Sequence, residues 1–147
     1  MYSKEEAQKI KKDFWIAFAQ KYPRKWLLYN TKIKDFSFKF DVDNKNAEVS
    51  LVIENKEDEL RRIYFEKIVS LKTILLEDYL PEALFYENFY LPTGKIINKI
   101  SCSISNISVN NQATWDIVFD FFAEKMTQFE LFFYEYEDYI RDLEINT

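Results

Sequence analysis

The stretch that decides the fold is DFSFKFDVDNKNAEVSLVIENK, residues 35–56. Apolar residues occupy alternate positions from Phe36 to Val42 and again from Val49 to Ile53, on either side of the polar run DNKN. Alternation with a period of two predicts two half-buried strands, and Asn and Asp favour the turn between them. A turn centred on residues 44–45 places Phe36 opposite Ile53 and Phe40 opposite Val49, a register that burial of the apolar face enforces.

The composition limits both the architecture and the chemistry. A length of 147 residues predicts a single domain, residues 1–147, and one glycine with three prolines predicts long regular elements. The chain has no histidine, which removes the usual general base and the commonest zinc ligand. It has one cysteine, Cys102, so a thiolate cluster cannot form. We therefore expect no metal and no cofactor.

Helical patterns surround the hairpin. The sequence SKEE at residues 3–6 is a capping-box pattern, and it predicts a helix that ends near Pro23. A second helix is predicted from about Asn55 to Tyr79, with Arg61 and Lys67 on its solvated sides. The last helix, about residues 112–143, carries two apolar stripes. Two stripes indicate burial on two sides, by the sheet and by another helix or subunit, although a core position for both remains an alternative.

A second hairpin is predicted between the second and the last helix. Residues 84–91 and 95–105 read as strands around a turn at Pro92 to Gly94, where glycine supplies a positive φ. The predicted order is therefore α-ββ-α-ββ-α. We expect an α+β fold with an antiparallel sheet of about four strands and helices packed mainly on one face.

The charge of the chain is divided along its length. Residues 1–34 carry nine Lys or Arg and three Asp or Glu, whereas the remainder carries eleven basic and twenty-two acidic residues. A basic segment with interleaved aromatic residues is typical of nucleic-acid binding. The alternative is that basic and acidic helices lie side by side in one domain or across a dimer, with the aromatic residues in the core. The nucleic-acid-binding candidates are Lys11, Lys12, Arg24, Lys25, Trp26, Tyr29, Lys32 and Lys34.

Several runs are similar to a bacterial family catalogued as domain of unknown function 4268. These runs are WLLYNTKIK at 26–34, FKFD at 38–41 and LRRIYF at 60–65, together with Ala47, Val49, the opening Phe14-Trp15 and the aromatic last helix. Members often carry a glycine next to the threonine, where this chain has Lys32. The family also occurs as the C-terminal part of longer chains with nuclease-like N-terminal domains, and we expect no such domain in these 147 residues. The resemblance implies an accessory link to nucleic-acid processing and no activity of its own.

One set of residues resembles the Mg²⁺ site of restriction nucleases. Asp41, followed by Glu54 and Lys56, is similar to the acidic and E-x-K elements of that superfamily, in which carboxylates bind Mg²⁺ and the lysine stabilises charge near the attacking water. In the predicted register Asp41 pairs near Glu48, and the residue opposite Glu54 is Asp35. Lys56 is expected in the first turn of a helix rather than on the strand. The weak nuclease candidates are therefore Asp35, Asp41, Glu54 and Lys56.

Three functions remain open at this point. The preferred one is a non-enzymatic interaction module that binds itself or another protein. The second is a nucleic-acid-binding accessory domain linked to restriction or DNA processing, and the third is a Mg²⁺-dependent nuclease. A single thiol and the absence of a secretory pattern predict a cytoplasmic protein, and no apolar run is long enough to predict a membrane span.

Overall fold

The computed structural model describes residues 2–143 and confirms the predicted order of helices and hairpins. Helix α1 is followed by the first hairpin, two helices, the second hairpin, a 3-10 turn and the long helix α4. The elements are α1 (Lys4–Lys21), β1 (Phe36–Val42), β2 (Asn46–Ile53), α2 (Asp58–Ser70), α3 (Lys72–Asp78), β3 (Leu84–Tyr90), β4 (Ile96–Ser105), the 3-10 turn (Gln112–Thr114) and α4 (Trp115–Arg141).

The four strands form one antiparallel sheet in the order β1-β2-β4-β3, which confirms the α+β prediction. The first hairpin has the predicted register, with Phe36 opposite Ile53 and Phe40 opposite Val49. The register of β3 shifts between Tyr86 and Phe89, where the backbone forms an irregularity. The strands β1 and β3 lie at the two edges of the sheet.

Helices α2 and α4 pack on the same face of the sheet as the phenylalanines of β1. The ring of Phe38 lies 5.5 Å from that of Phe129 and 5.8 Å from that of Phe133, both on α4. The two apolar stripes of α4 are both covered within the chain. Phe119 contacts Phe14 of α1, and Phe132 contacts Tyr79 beside α3, with centroid distances of 5.0 and 5.5 Å.

The prediction for the second helix was wrong in two respects. The predicted helix divides at Leu71 into α2 and α3. Arg61 and Lys67 are buried rather than solvated, with exposures of 4% and 3%. Each buried cation is stabilised by a main-chain carbonyl: Arg61 donates to Asn55 O at 2.9 Å, and Lys67 donates to Tyr139 O at 2.8 Å. The cost of burying these charges is offset by hydrogen bonds that the helical pattern does not reveal.

No helix within residues 2–143 is both long and apolar enough to cross a membrane.

Candidate interaction surface

The segment between α1 and β1 lies against α4 and is held there by a buried carboxylate. Glu130 is 4% exposed and accepts two hydrogen bonds from this segment. One comes from the Arg24 guanidinium at 2.6 Å, and the other comes from the Leu27 backbone N–H at 2.8 Å. Because a buried charge requires such partners, Glu130 fixes the position of the segment relative to the helix.

The second half of the same segment forms a turn around a buried threonine. The Thr31 hydroxyl donates to Phe36 O at 2.6 Å and accepts from Ile33 N–H at 3.2 Å. Arg141 of α4 donates to the carbonyls of Thr31 and Lys32. Lys32 has a φ of 61°, the left-handed conformation that glycine adopts most easily. The turn therefore keeps the backbone that a glycine would favour, although lysine occupies the position.

Aromatic rings from three parts of the chain meet at Phe40 of β1. Its ring lies 4.8 Å from that of Phe122 on α4 and 5.2 Å from that of Phe18 on α1. Trp26 lies 5.5 Å away and Trp15 lies 6.4 Å away, measured between ring centroids. These contacts place α1 and the start of the connecting segment along β1, on the side of the sheet that carries the helices.

A groove of about 310 Å³ runs between α1, the connecting segment and β1. Its most accessible aromatic residues are Tyr29, which is 71% exposed, and Trp15, which is 37% exposed. Lys39 is the one charged residue in the lining. The groove is lined by Trp15, Phe18, Trp26, Leu28, Tyr29, Phe38, Lys39 and Phe40. Exposed aromatic groups around an apolar depression are typical of a surface that binds another molecule.

Two of the nucleic-acid candidates, Arg24 and Trp26, meet at the start of the connecting segment, where they have structural contacts. The Arg24 guanidinium carbon lies 3.9 Å from the centre of the Trp26 ring, and Arg24 is also paired with Glu130. The Trp26 ring stacks on Phe18, with an interplanar angle of 8°. These contacts leave less of the indole for a nucleobase. Tyr29, in contrast, remains largely exposed.

The other basic candidates do not converge on the groove as one set. All five are exposed, and none forms an ion pair within residues 2–143. Lys11 and Lys12 precede Trp15 by about one turn of α1, Lys25 adjoins Trp26, and the remaining two flank Ile33 in the turn around Thr31. The five are Lys11, Lys12, Lys25, Lys32 and Lys34.

The sheet register keeps the weak nuclease candidates apart. Asp41 lies opposite Glu48, and Glu54 is six residues further along β2. At about 3.3 Å per residue, this is a separation of about 20 Å. Asp35 adjoins Glu54, whose N–H donates to Asp35 O at 2.8 Å, while Lys56 is exposed in the connection before α2. Within residues 2–143, no three acidic, Cys or His residues cluster closely enough to hold a metal ion.

Asp41 and Glu54, two of these nuclease candidates, have different electrostatic surroundings. Asp41 is exposed, but partial desolvation and the neighbouring Glu48 raise its pKa. Burial also acts to raise the pKa of Glu54, but the hydrogen bond from Lys95 and the charge of Lys39 outweigh it and lower that pKa. The Lys39 ammonium lies 3.3 Å from Glu54 Oε2. Glu54 is therefore an ionised partner of two lysines, separate from Asp41.

The surroundings of the single cysteine, Cys102, do not favour a role as a nucleophile. Cys102 is buried on the core side of β4, and burial raises its pKa to about 12. The thiol is therefore protonated at neutral pH, whereas a reactive cysteine requires an accessible thiolate.

Sequence reasoning missed two residues that define this surface. Trp15 follows Phe14 and does not share the helix face on which Phe14 and Phe18 are spaced four residues apart, and this offset is a signal of exposure. Glu130 is an acidic residue between Phe129 and Leu131 on a strongly apolar helix. A carboxylate with apolar neighbours on both sides indicates a buried partner, although the sequence does not identify that partner.

The architecture defines an α+β domain with helices on one face of a four-stranded antiparallel sheet and an aromatic groove beside one edge strand. A model of the family described as Domain of unknown function (DUF4268) matches residues 10–137, and the chain belongs to this family. Comparisons with curated proteins and with solved structures gave no match.

Proposed function

We propose that this chain is a non-enzymatic interaction module that binds a protein through the aromatic groove. The observation that carries the proposal is the exposure of Tyr29 and Trp15 at the rim of a mostly apolar depression. Two apolar stripes on the last helix could have bound a partner, but both are covered by α1 and the α3 region. The groove is therefore the surface that we expect a partner to contact. Binding would remove exposed aromatic surface from water, which is favourable.

The test compares two tyrosine variants of the full chain. Tyr29→Glu places a charge at the rim of the groove, whereas Tyr134→Glu changes a tyrosine on α4 that is 57% exposed and does not line the groove. Quantitative affinity purification from the native cell should recover a partner with wild type and Tyr134→Glu, and lose it with Tyr29→Glu. Sedimentation velocity of the same proteins tests a second copy of the chain as the partner. Identical results for all three proteins would contradict the proposal.

A nucleic-acid-binding accessory role is the second candidate. It is supported by the five exposed lysines that form no ion pair within the described residues. The test is the binding of labelled single- and double-stranded DNA and RNA across a salt series. A phosphate-driven contact weakens steeply as salt rises, and Lys25→Glu should weaken it further. Binding that is absent, or that does not depend on salt, would exclude this role.

A further inference from the structure

Within residues 2–143, the edge of β1 that faces away from β2 has no neighbouring strand. The hydrogen bonds at the two ends of the hairpin show which main-chain groups point to that edge. Glu54 N–H donates to Asp35 O, and Asp43 N–H donates to Asn46 O, at 2.8 and 2.9 Å. In an antiparallel pair, alternate residues bond to the partner strand, so the odd-numbered residues of β1 face β2. The main-chain groups of the even-numbered residues therefore point outward.

The turn before β1 occupies one end of this edge. Phe36 O accepts from the Thr31 hydroxyl, and Phe38 N–H donates to Leu28 O at 3.0 Å. Beyond this point, the C=O of Phe38 and both main-chain groups of Phe40 face outward, and none has a hydrogen-bond partner within residues 2–143. The free part of the edge is thus short and begins at a defined position. These groups lie at the groove, which three consecutive residues of β1 help to line.

We propose that an extended segment of a partner protein adds to β1 as a fifth strand, with apolar side chains beside Phe38 and Phe40 and an acidic side chain beside Lys39. This inference rests on the proposed function and specifies its mode of recognition. Strand addition uses main-chain hydrogen bonds for affinity and alternate side chains for specificity. Here Phe40 supplies a donor and an acceptor, and Phe38 supplies a second acceptor.

The alternation of β1 determines the chemistry of the incoming segment. Phe38 and Phe40 face the helix side, so side chains beside them enter the groove near Trp15 and Trp26. Lys39 points to the opposite face, where neighbouring strands favour opposite charges in adjacent positions. A carboxylate beside Lys39 would share this lysine with Glu54. Glu54 also binds Lys95, so it keeps a partner when Lys39 turns away.

An extended segment fits this edge better than a second β1 strand does. Phe40 contacts Phe18 of α1, so α1 lies along β1 on the helix side. If the β1 edges of two copies paired around a twofold axis, the two β1 strands would lie about 4.8 Å apart. The two copies of α1, one beside each strand, would then lie close to each other on the same side of the sheet. Packed helices require about 8–10 Å between their axes. A nucleic acid also fits less well, because phosphates accept hydrogen bonds and cannot pair with the carbonyls of Phe38 and Phe40.

The experiment selects a displayed library of random peptides on the full wild-type chain, with counter-selection on Tyr29→Glu. Enriched peptides should share an apolar-acidic-apolar alternation and bind at least ten times more weakly to Lys39→Glu. Replacing the acidic residue with lysine should restore binding to Lys39→Glu. Methylating the peptide nitrogen that faces Phe40 O should abolish binding, whereas methylating the next nitrogen should not. Hydrogen exchange of the Phe40 amide should slow when the peptide binds.

Other outcomes of this experiment would overturn strand addition, and one of them would also overturn the proposed function. Enriched peptides without the alternation, or ones that tolerate both methylations, would overturn strand addition while leaving a groove that binds protein. If no peptide prefers wild type to Tyr29→Glu, and affinity purification shows no dependence on Tyr29 either, the proposed function fails as well. Salt-sensitive binding of oligonucleotides in the groove, or a dimer that Lys39→Glu abolishes, would also overturn the inference.

Discussion

Replacing Glu130 with alanine should destabilise the protein by about 2–3 kcal/mol. The largest part comes from the Leu27 N–H, which loses an ionised acceptor at 2.8 Å in a partly buried position. A hydrogen bond to a charged group contributes about 1.5–3 kcal/mol. The ion pair with Arg24 adds less than about 1 kcal/mol, because the Arg24 side chain is 43% exposed and can be hydrated when the pair is broken.

Matched variants separate the two contributions. Arg24→Ala removes the ion pair and the contact between the Arg24 guanidinium and the Trp26 ring, but it leaves the Leu27 N–H bonded to Glu130, so it should cost about 1–2 kcal/mol, less than Glu130→Ala does. Glu130→Gln keeps one acceptor for the Leu27 N–H and should cost about 1 kcal/mol. Glu135→Ala changes an exposed acid on the same helix and should alter stability by less than about 0.5 kcal/mol.

The assay is urea unfolding, followed by tryptophan fluorescence and far-UV circular dichroism. Trp26 reports on the connecting segment, because its ring is in contact with both Arg24 and Phe18. An equal cost for Arg24→Ala and Glu130→Ala would refute the reasoning, since it would assign the energy to the ion pair. A Glu130→Ala protein as stable as wild type would refute it completely, because Glu130 would then not hold the segment.

Two other changes test the electrostatics of the fold. Asp41→Asn should be slightly more stable than wild type at pH 7, because partial desolvation and Glu48 raise the folded-state pKa of Asp41 and disfavour its ionised form, an effect that solvent weakens at this exposed position. The advantage should disappear as pH falls below the ordinary pKa of aspartate, and a difference that stays constant across pH-dependent unfolding would contradict this cause. Lys67→Met should lower the free energy of unfolding by about 1–3 kcal/mol, because Tyr139 O loses its hydrogen-bond donor. The control Arg62→Met, on the exposed side of α2, should change the free energy of unfolding by less than about 0.5 kcal/mol.

The register of the first hairpin could be predicted because alternation specifies it directly. Each apolar residue of β1 must lie on the same face of the sheet as the apolar residue opposite it on β2. A turn centred on residues 44–45 gives this pairing. The buried state of Arg61 and Lys67 could not be predicted in this way. Arg61 forms a salt bridge with Asp58 three residues earlier, but the partners that the pattern does not show are the main-chain carbonyls of Asn55 and Tyr139. A helical pattern shows which residues share a face, but it does not show which carbonyls that face will meet.

The sequence predicts some residues of the candidate surface, but it does not predict their tertiary contacts. Trp26 and Tyr29 are aromatic residues in a basic segment, which predicts a binding role for both, and both line the groove. Their roles nevertheless differ, since Trp26 stacks within the fold and Tyr29 is exposed. Trp15 completes the groove from α1, and only the packing of α1 along β1 brings it there. Composition therefore locates the segment, whereas tertiary contacts decide which of its side chains remain available.

The division of charge along the sequence has a structural cause as well as a functional interpretation. Lys21 pairs with Asp116 and Asp120 of α4 at 3.3 and 2.9 Å, and Arg24 pairs with Glu130. Part of the basic excess thus serves to attach the first third of the chain to the acidic last helix. Among the candidates within residues 2–143, the lysines that form no ion pair are the ones available for a phosphate contact. A salt series tests those lysines, while Tyr29→Glu tests the groove, so each candidate function can fail without deciding the other.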